Sequence, residues 1–424
     1  MKKRKIFYGW WILVSVFFIS AYANGVVFYS FTAVLEPIVK GFGWSYAQVS
    51  FAASIRGFET SFLGPLVGFL FDRYGPRWLI FAGGVIIGVG LILLSYAGSM
   101  AMFYAAFFLM AMGLSSCTGF ILTTAVGRWF SKKLSLVTGI ALCGSAVGGL
   151  LVPVVTRLID VLEWRPAMAV IGLVGWGVLL PLSLVVRHKP EQYGYLPDGE
   201  EMLEPLSPKD INITQTSEIN VSVRQTLKSR AFWLICLGFM CHYLVISSVL
   251  THIMPYLSSI DIPRSASSFV ASGIPLASIL GRISFGWFGD RYDRRRVAAA
   301  GYILTALGLL LLIYIKAIGV WILVPFIIVF GVGFGGPIPM SLAMLVQHFG
   351  RARLSTIVGI SMGVIMIGNI LGPPLAGWIF DKYSSYQGAW FGLVAVIIAG
   401  MIMLQTVPTA KGVSRAVNRA AETR

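Results

Sequence analysis

Ile279-Leu280-Gly281-Arg282-Ile283-Ser284-Phe285-Gly286-Trp287-Phe288-Gly289-Asp290-Arg291-Tyr292-Asp293-Arg294-Arg295-Arg296 changes character halfway along. The first part is apolar around one cation, Arg282, and the second ends in Asp290-Arg291 and three consecutive arginines. Displaced by 218 positions, Gly68-Phe69-Leu70-Phe71-Asp72-Arg73-Tyr74-Gly75-Pro76-Arg77 repeats the pattern of Gly286 to Arg295. A second echo, displaced by 220, pairs Leu134-Ser135 with Leu354-Ser355, Gly139-Ile140 with Gly359-Ile360, Gly148 with Gly368 and Pro153 with Pro373. Two independent matches at nearly one displacement indicate that the chain is a parallel duplication of one half.

The material of each half is membrane-spanning. Of the 424 residues, 57% are hydrophobic and 12% charged, against about 25% charged in soluble domains. A net charge of +16 would suggest nucleic acid in a soluble chain. No basic region here is interleaved with exposed aromatics, so no nucleic-acid partner is expected. A span needs about 20 mostly apolar residues, and twelve such runs emerge, near 9–36, 46–71, 78–97, 101–126, 134–157, 165–186, 231–257, 266–289, 297–315, 318–347, 355–380 and 388–407. The polar stretch between Arg187 and Arg230 divides them six and six. The expected organisation is an all-α membrane protein of twelve transmembrane helices in two pseudo-symmetric bundles, at 1–187 and 230–410. A central loop, 188–229, and a tail, 411–424, flank the second bundle.

Orientation follows from the cations. With the N-terminus inside, the inner segments hold 25 of the 33 Lys and Arg and the outer ones six, which places both termini in the cytoplasm. Met1-Lys2-Lys3-Arg4-Lys5 resembles a signal-peptide n-region, but the apolar run behind it is too long and is read as an uncleaved first span. The central loop, with Glu200, Glu201, Glu204, Pro205 and Pro208, is too polar to fold alone. Cys117, Cys143, Cys236 and Cys241 lie in apolar runs without metal or redox spacing and are read as small core residues. No metal or other cofactor is expected. No nucleophile with its base appears in the spans, so the chain is not expected to be an enzyme.

Charges at mid-membrane cost about 2.5 to 3.5 kcal/mol each on insertion scales, and only Arg56, Glu59 and Arg282 fall there. Arg56 and Glu59, spaced i, i+3, share a helix face and can pair locally; substrate binding at Arg56 and proton transfer at Glu59 are the functional alternatives. Arg282 has no acid within four residues on either side. Facing a water-filled cavity, its planar fork suits a carboxylate. His242, near the middle of the seventh span, is a second proton-coupling candidate against a packing role. Asn24 and Tyr22 in the first span, and Ser116 and Thr118 in the fourth, are candidate cavity donors. Gly144 and Gly148 read as a close helix contact. Pro275, Pro337, Pro339, Pro373 and Pro374 read as bends. Trp10, Trp11, Trp44, Trp164 and Trp390 read as interface anchors.

The paired G-x-x-x-D-R loops on a six-plus-six scaffold resemble the major facilitator superfamily over essentially the whole chain. Phe130-Ser131-Lys132-Lys133 leading to Gly139, Ala141, Gly144 and Gly148 is similar to the fifth-helix signature of the monocarboxylate transporters. Tyr8-Gly9-Trp10-Trp11 and Gly372-Pro373-Pro374-Leu375-Ala376-Gly377 also resemble that family and its oxalate/formate antiporter relatives. The resemblance implies gating roles for Asp72, Arg73, Arg77, Asp290 and Arg291, and a substrate-binding arginine at Arg282. It also exposes departures. The aspartate that family members carry one turn before this arginine is Ser278 here. The first-helix lysine falls near Tyr29, and the eleventh-helix lysine is missing, with Asn369 the strongly polar residue of that span. Tyr29 and Asn369 therefore join the substrate-binding candidates, and one cation in the second half suits one carboxylate.

The expected function is secondary transport of a small organic anion, a monocarboxylate first, by alternating access in a cell (inner) membrane, by a protein acting as a monomer. Proton symport is open. Anion exchange of the oxalate/formate type, export of a drug-like compound, and a transporter-like solute receptor are the alternatives.

Overall fold

The computed structural model describes residues 7–130, 134–188, 190, 223–349 and 354–408, without the side chains of 56–66, 68, 69, 72, 120, 134–136, 354 and 355. Every regular element among them is helical. We number the long helices α1 (Tyr8–Phe42), α2 (46–74), α3 (76–95), α4 (Met100–Gly127), α5 (Val137–Leu162), α6 (Trp164–Val185), α7 (Arg230–Ser258), α8 (Arg264–Arg291), α9 (Arg294–Ile313), α10 (Val320–Phe349), α11 (Thr356–Tyr383) and α12 (Gln387–Gln405). Eleven segments among the described residues are long and apolar enough to cross a membrane. The expected second span, α2, is helical throughout.

The duplicated loop forms the same joint twice by different means. Between α2 and α3 the turn is made by Gly75 at φ 78°, ψ 168°, a conformation open to glycine and costly for residues with a Cβ. The repeat places Asp293 at this position, and its side chain accepts a hydrogen bond from the Arg295 backbone N–H at 3.0 Å, capping α9. A cap of this kind satisfies one of the donors a helix start leaves open.

Packing repeats as well. In the first half α1 packs on α5, and α3 on α4 and α6; in the second half α9 packs on α10 and α12. Gly148 of α5 lies against the Ala21 carbonyl of α1, and its repeat partner Gly368 of α11 against the Met240 carbonyl of α7. A Cβ added at Gly144 would come within 2.5 Å of the Phe17 carbonyl oxygen. The small-residue reading of α5 thus corresponds to a backbone-to-backbone seam.

Helix α10 is divided at Gly336-Pro337 into Leu323–Gly335 and Ile338–Phe349, while α8 and α11 continue as helices through Pro275, Pro373 and Pro374. Two expectations need revising. Trp390 is fully buried, stacked on Tyr386 at 5.4 Å, so it is core rather than an interface anchor. Helix α1 extends past the expected end and contains a π-helical stretch, Asn24–Tyr29, so Glu36 is a buried charge inside a helix that span counting had ended there.

Contacts group the chain into two compact units. One comprises Met1–Pro205 with Leu250–Leu276, and the other Leu206–Val249 with Ala277–Arg424. Helices α7 and α8 therefore each contribute to both.

Candidate functional site

The candidate site lies in the second unit around Arg282. On α8, Ser278 and Gly281 pack against α10: the Ser278 carbonyl meets Gly335, and Gly281 faces the Val332 carbonyl. The opposite stripe, Leu280, Ile283 and Trp287, is 50% or more exposed and apolar, as a lipid-facing side would be. At about 100° per residue, Arg282 lies on the edge of the α10 face, away from that stripe. Its guanidinium carbon is 6.0 Å from the Phe334 ring centroid, and the side chain is half-buried. A cation placed so keeps both an aromatic neighbour and access to a solute.

His242 reaches the same part of α10. Its Nε2 lies 3.3 Å from the Gly333 carbonyl oxygen and its ring stacks on Tyr302 at 5.1 Å, the side chain being 1% exposed. Tyr302 in turn donates to the Gly238 carbonyl at 2.9 Å. The structure thus brings two expected site residues, Arg282 and His242, to the adjacent positions Phe334 and Gly333. Beside His242 on α7 stands a residue that sequence reading did not single out, half-buried Tyr243, its ring 6.1 Å from that of His242. A single tyrosine inside an apolar run carries no spacing signal that could have singled it out. Asn369 on α11 is half-buried, and its carboxamide makes no hydrogen bond to any described residue.

The remaining candidates belong to the first unit or to helix ends. Asn24 is half-buried and donates to the Ser20 carbonyl of its own helix at 2.9 Å. Tyr29 is buried, edge-on to Phe28 at 5.1 Å. Arg56 and Glu59 lie on α2, and their side chains, like that of Asp72, fall outside the described residues. Of the loop residues, Arg73 and Asp290 are exposed, Arg77 lies 5.8 Å from the Trp78 ring, and Arg291 rests 3.5 Å over Trp287.

A polar cluster that the sequence reading did not anticipate ties 250–276 to the rest of the first unit. Glu36 receives Lys40 at 2.7 Å and the Ser258 hydroxyl at 3.0 Å, with an Arg264 nitrogen at 3.7 Å. Arg264 also pairs with Asp160 at 3.0 Å and donates to the Ala33 carbonyl at 3.1 Å. Nearby, the Met254 N–H donates to the Thr32 hydroxyl at 3.2 Å, and Ser50 and His252 share a hydrogen bond of 3.1 Å. Among the described residues, no three His, Cys, Asp or Glu side chains converge as metal ligands do.

Duplicated helical halves, with a charged residue set inside an apolar span, are the make-up of a membrane transporter. The chain belongs to the Major Facilitator Superfamily, whose family model matches residues 13–267 and 245–422. It is 26% identical over 402 residues to monocarboxylate transporter 12 of Xenopus laevis, covering 90% of this chain and 85% of the relative. It is 27% identical to monocarboxylate transporter 13 of Bos taurus, covering 95% and 89%. Among solved structures, the nucleoside transporter NupG aligns with a TM-score of 0.75 at 14% identity, covering 95% of this chain and 99% of that one. A bacterial homologue of the human lysosomal transporter Spinster aligns at 0.70 and 15% identity, covering 98% of both chains. At these identities the solved neighbours speak for the fold alone.

Proposed function

We propose that this chain moves small monocarboxylates across a cell (inner) membrane by alternating access, as a monomer with both termini in the cytoplasm, and that Arg282 binds the carboxylate. The observation that carries the reading is the place of that guanidinium: inside an apolar helix, off its lipid-facing stripe, beside an aromatic ring, with no acid within a turn of its own helix. The names of the relatives support the substrate class. Uptake of labelled lactate, pyruvate and formate into proteoliposomes by the native protein and Arg282→Gln tests it; equal uptake by the two would end the reading.

Protons, where they drive uptake, pass through Glu59 in this reading. His242 is enclosed by Tyr302 and a backbone carbonyl, which suits packing better than exchange with a cavity. Glu59→Gln is expected to remove the stimulation of uptake by an inward proton gradient while leaving exchange of internal for external substrate intact. Stimulation that survives in Glu59→Gln and disappears in His242→Gln would reverse the assignment.

The Glu36–Arg264–Asp160 cluster is the outer gate in this reading. Isolated exposed pairs contribute about 0 to 1 kcal/mol, but Glu36 is only 6% exposed, and removing one partner of a buried charge costs more. Ser272 is buried with its carbonyl against Gly149 of α5. Labelling of Ser272→Cys by an impermeant maleimide is expected to speed up about tenfold when Arg264→Gln is added, the rate following the open population. An unchanged rate would show that the cluster does not hold the gate.

A further inference from the structure

Helix α5 has one side that its own unit leaves uncovered. Val152, Val155, Thr156 and Ile159 are buried, and Gly149 and Asp160 meet α8, at Pro275 and Arg264. At about 100° per residue, Leu150, Val154, Arg157 and Val161 share a stripe opposite the buried residues, and all four are exposed. Three of them are apolar, as a side turned to lipid would be. Arg157 is the exception. It makes no hydrogen bond or ion pair with any described residue, and the acid one turn on, Asp160, is taken by Arg264 at 3.0 Å. The second half carries Gly377 at the corresponding position of the repeat, so this cation does not belong to the shared scaffold.

The surface around Arg157 is hollowed. Pro153, Val154, Leu158 and Val161 line with it an open apolar groove of about 500 Å³, within the range of small-ligand sites. The depth of the residue suits a lipid headgroup. Helix α5 has 26 residues, about 39 Å of helix against a hydrocarbon core of about 30 Å. Centred on that core, it carries Arg157 about 3 Å inside the boundary, where a long side chain reaches the phosphate level. A guanidinium takes two phosphate oxygens at once through its fork. A headgroup with its own ammonium brings a phosphate already neutralised, whereas one of net negative charge brings a phosphate that attracts a basic residue.

We propose that α5 binds one anionic phospholipid, its phosphate on Arg157 and an acyl chain in the groove along Pro153, Val154, Leu158 and Val161. The stripe faces away from the interior of the unit, so the lipid is bound there and not carried.

Titration of the purified protein in detergent with phosphatidylglycerol or phosphatidylcholine of matched chains, read by native mass spectrometry, tests this. The native protein is expected to hold one phosphatidylglycerol about tenfold more tightly than Arg157→Gln does, the lower end for a hydrogen bond to a charged group. Phosphatidylcholine should bind the two within twofold. Arg157→Lys, which keeps the charge and loses the fork, should fall between them. Equal affinity of native protein and Arg157→Gln for phosphatidylglycerol, or no preference of the native protein for it, would overturn the proposal. So would displacement of the lipid by excess inorganic phosphate, which marks a bare ion site, or a dimer that excludes the lipid, which marks a second copy as the occupant.

Discussion

Arg282→Gln is expected to lower monocarboxylate uptake by more than a hundredfold while the protein remains in the membrane at native yield. A hydrogen bond to a charged group contributes about 1.5 to 3 kcal/mol, and a bidentate guanidinium–carboxylate pair makes two of them. Glutamine offers one neutral donor pair and no charge, so most of that is lost, and about 1.4 kcal/mol corresponds to each tenfold. The fold should not suffer, because a charge costly to insert is removed. Arg282→Lys divides the effect further: charge stays and the fork goes, so uptake about a tenth of native is expected. Native-level uptake by the lysine variant would show that charge alone suffices.

Gly148→Leu should have the largest effect on the folded protein. The Cβ position of Gly148 is occupied by the Ala21 carbonyl and lies 2.8 Å from the Gly25 nitrogen, while a Cβ added at Gly25 would in turn lie 2.5 Å from the Gly148 carbonyl oxygen. These are backbone atoms, which cannot turn aside as a side chain can. Overpacking typically costs about 1 to 3 kcal/mol, and a whole leucine side chain against rigid backbone belongs at or above the top of that range. Loss of monodisperse protein in detergent, or a melting temperature lower by many degrees, is the expected result. Gly139→Ala is the internal control: no atom of the described residues lies within 4 Å of its Cβ position, and alanine is the better helix former by about 1 kcal/mol. Equal melting of both variants would show that the α1–α5 seam is not close-packed.

The architecture was legible because duplication leaves the same chemistry at the same register. Gly148 and Gly368 recur since both helices must approach a neighbour's backbone, and the loop motif recurs since both halves need the same joint. Arg282 stood out as a candidate because a charge in an apolar helix is costly without a use, and the structure sets it off the exposed stripe of α8. Glu36 escaped because the first charge after an apolar run was taken as the end of the span. Its burial comes from Ser258 and Arg264, more than 200 positions away, which no local pattern reveals. Trp390 shows the same limit, since a tryptophan near a helix end looks alike whether it meets lipid headgroups or the core.

The π-helical stretch Asn24–Tyr29 bears on how α1 does two jobs. Before it, Phe17 and Ala21 present bare backbone to the glycines of α5; after it, Glu36, paired with Lys40, presents charge to Ser258 and Arg264. Each residue gained or lost in a helix turns everything downstream by about 100°, so this stretch sets the phase between the two ends. Regularising it to an uninterrupted α-helix would leave the glycine seam in register and rotate Glu36 away from its partners. Packing and polar closure on α1 are thus held in step by the irregularity itself.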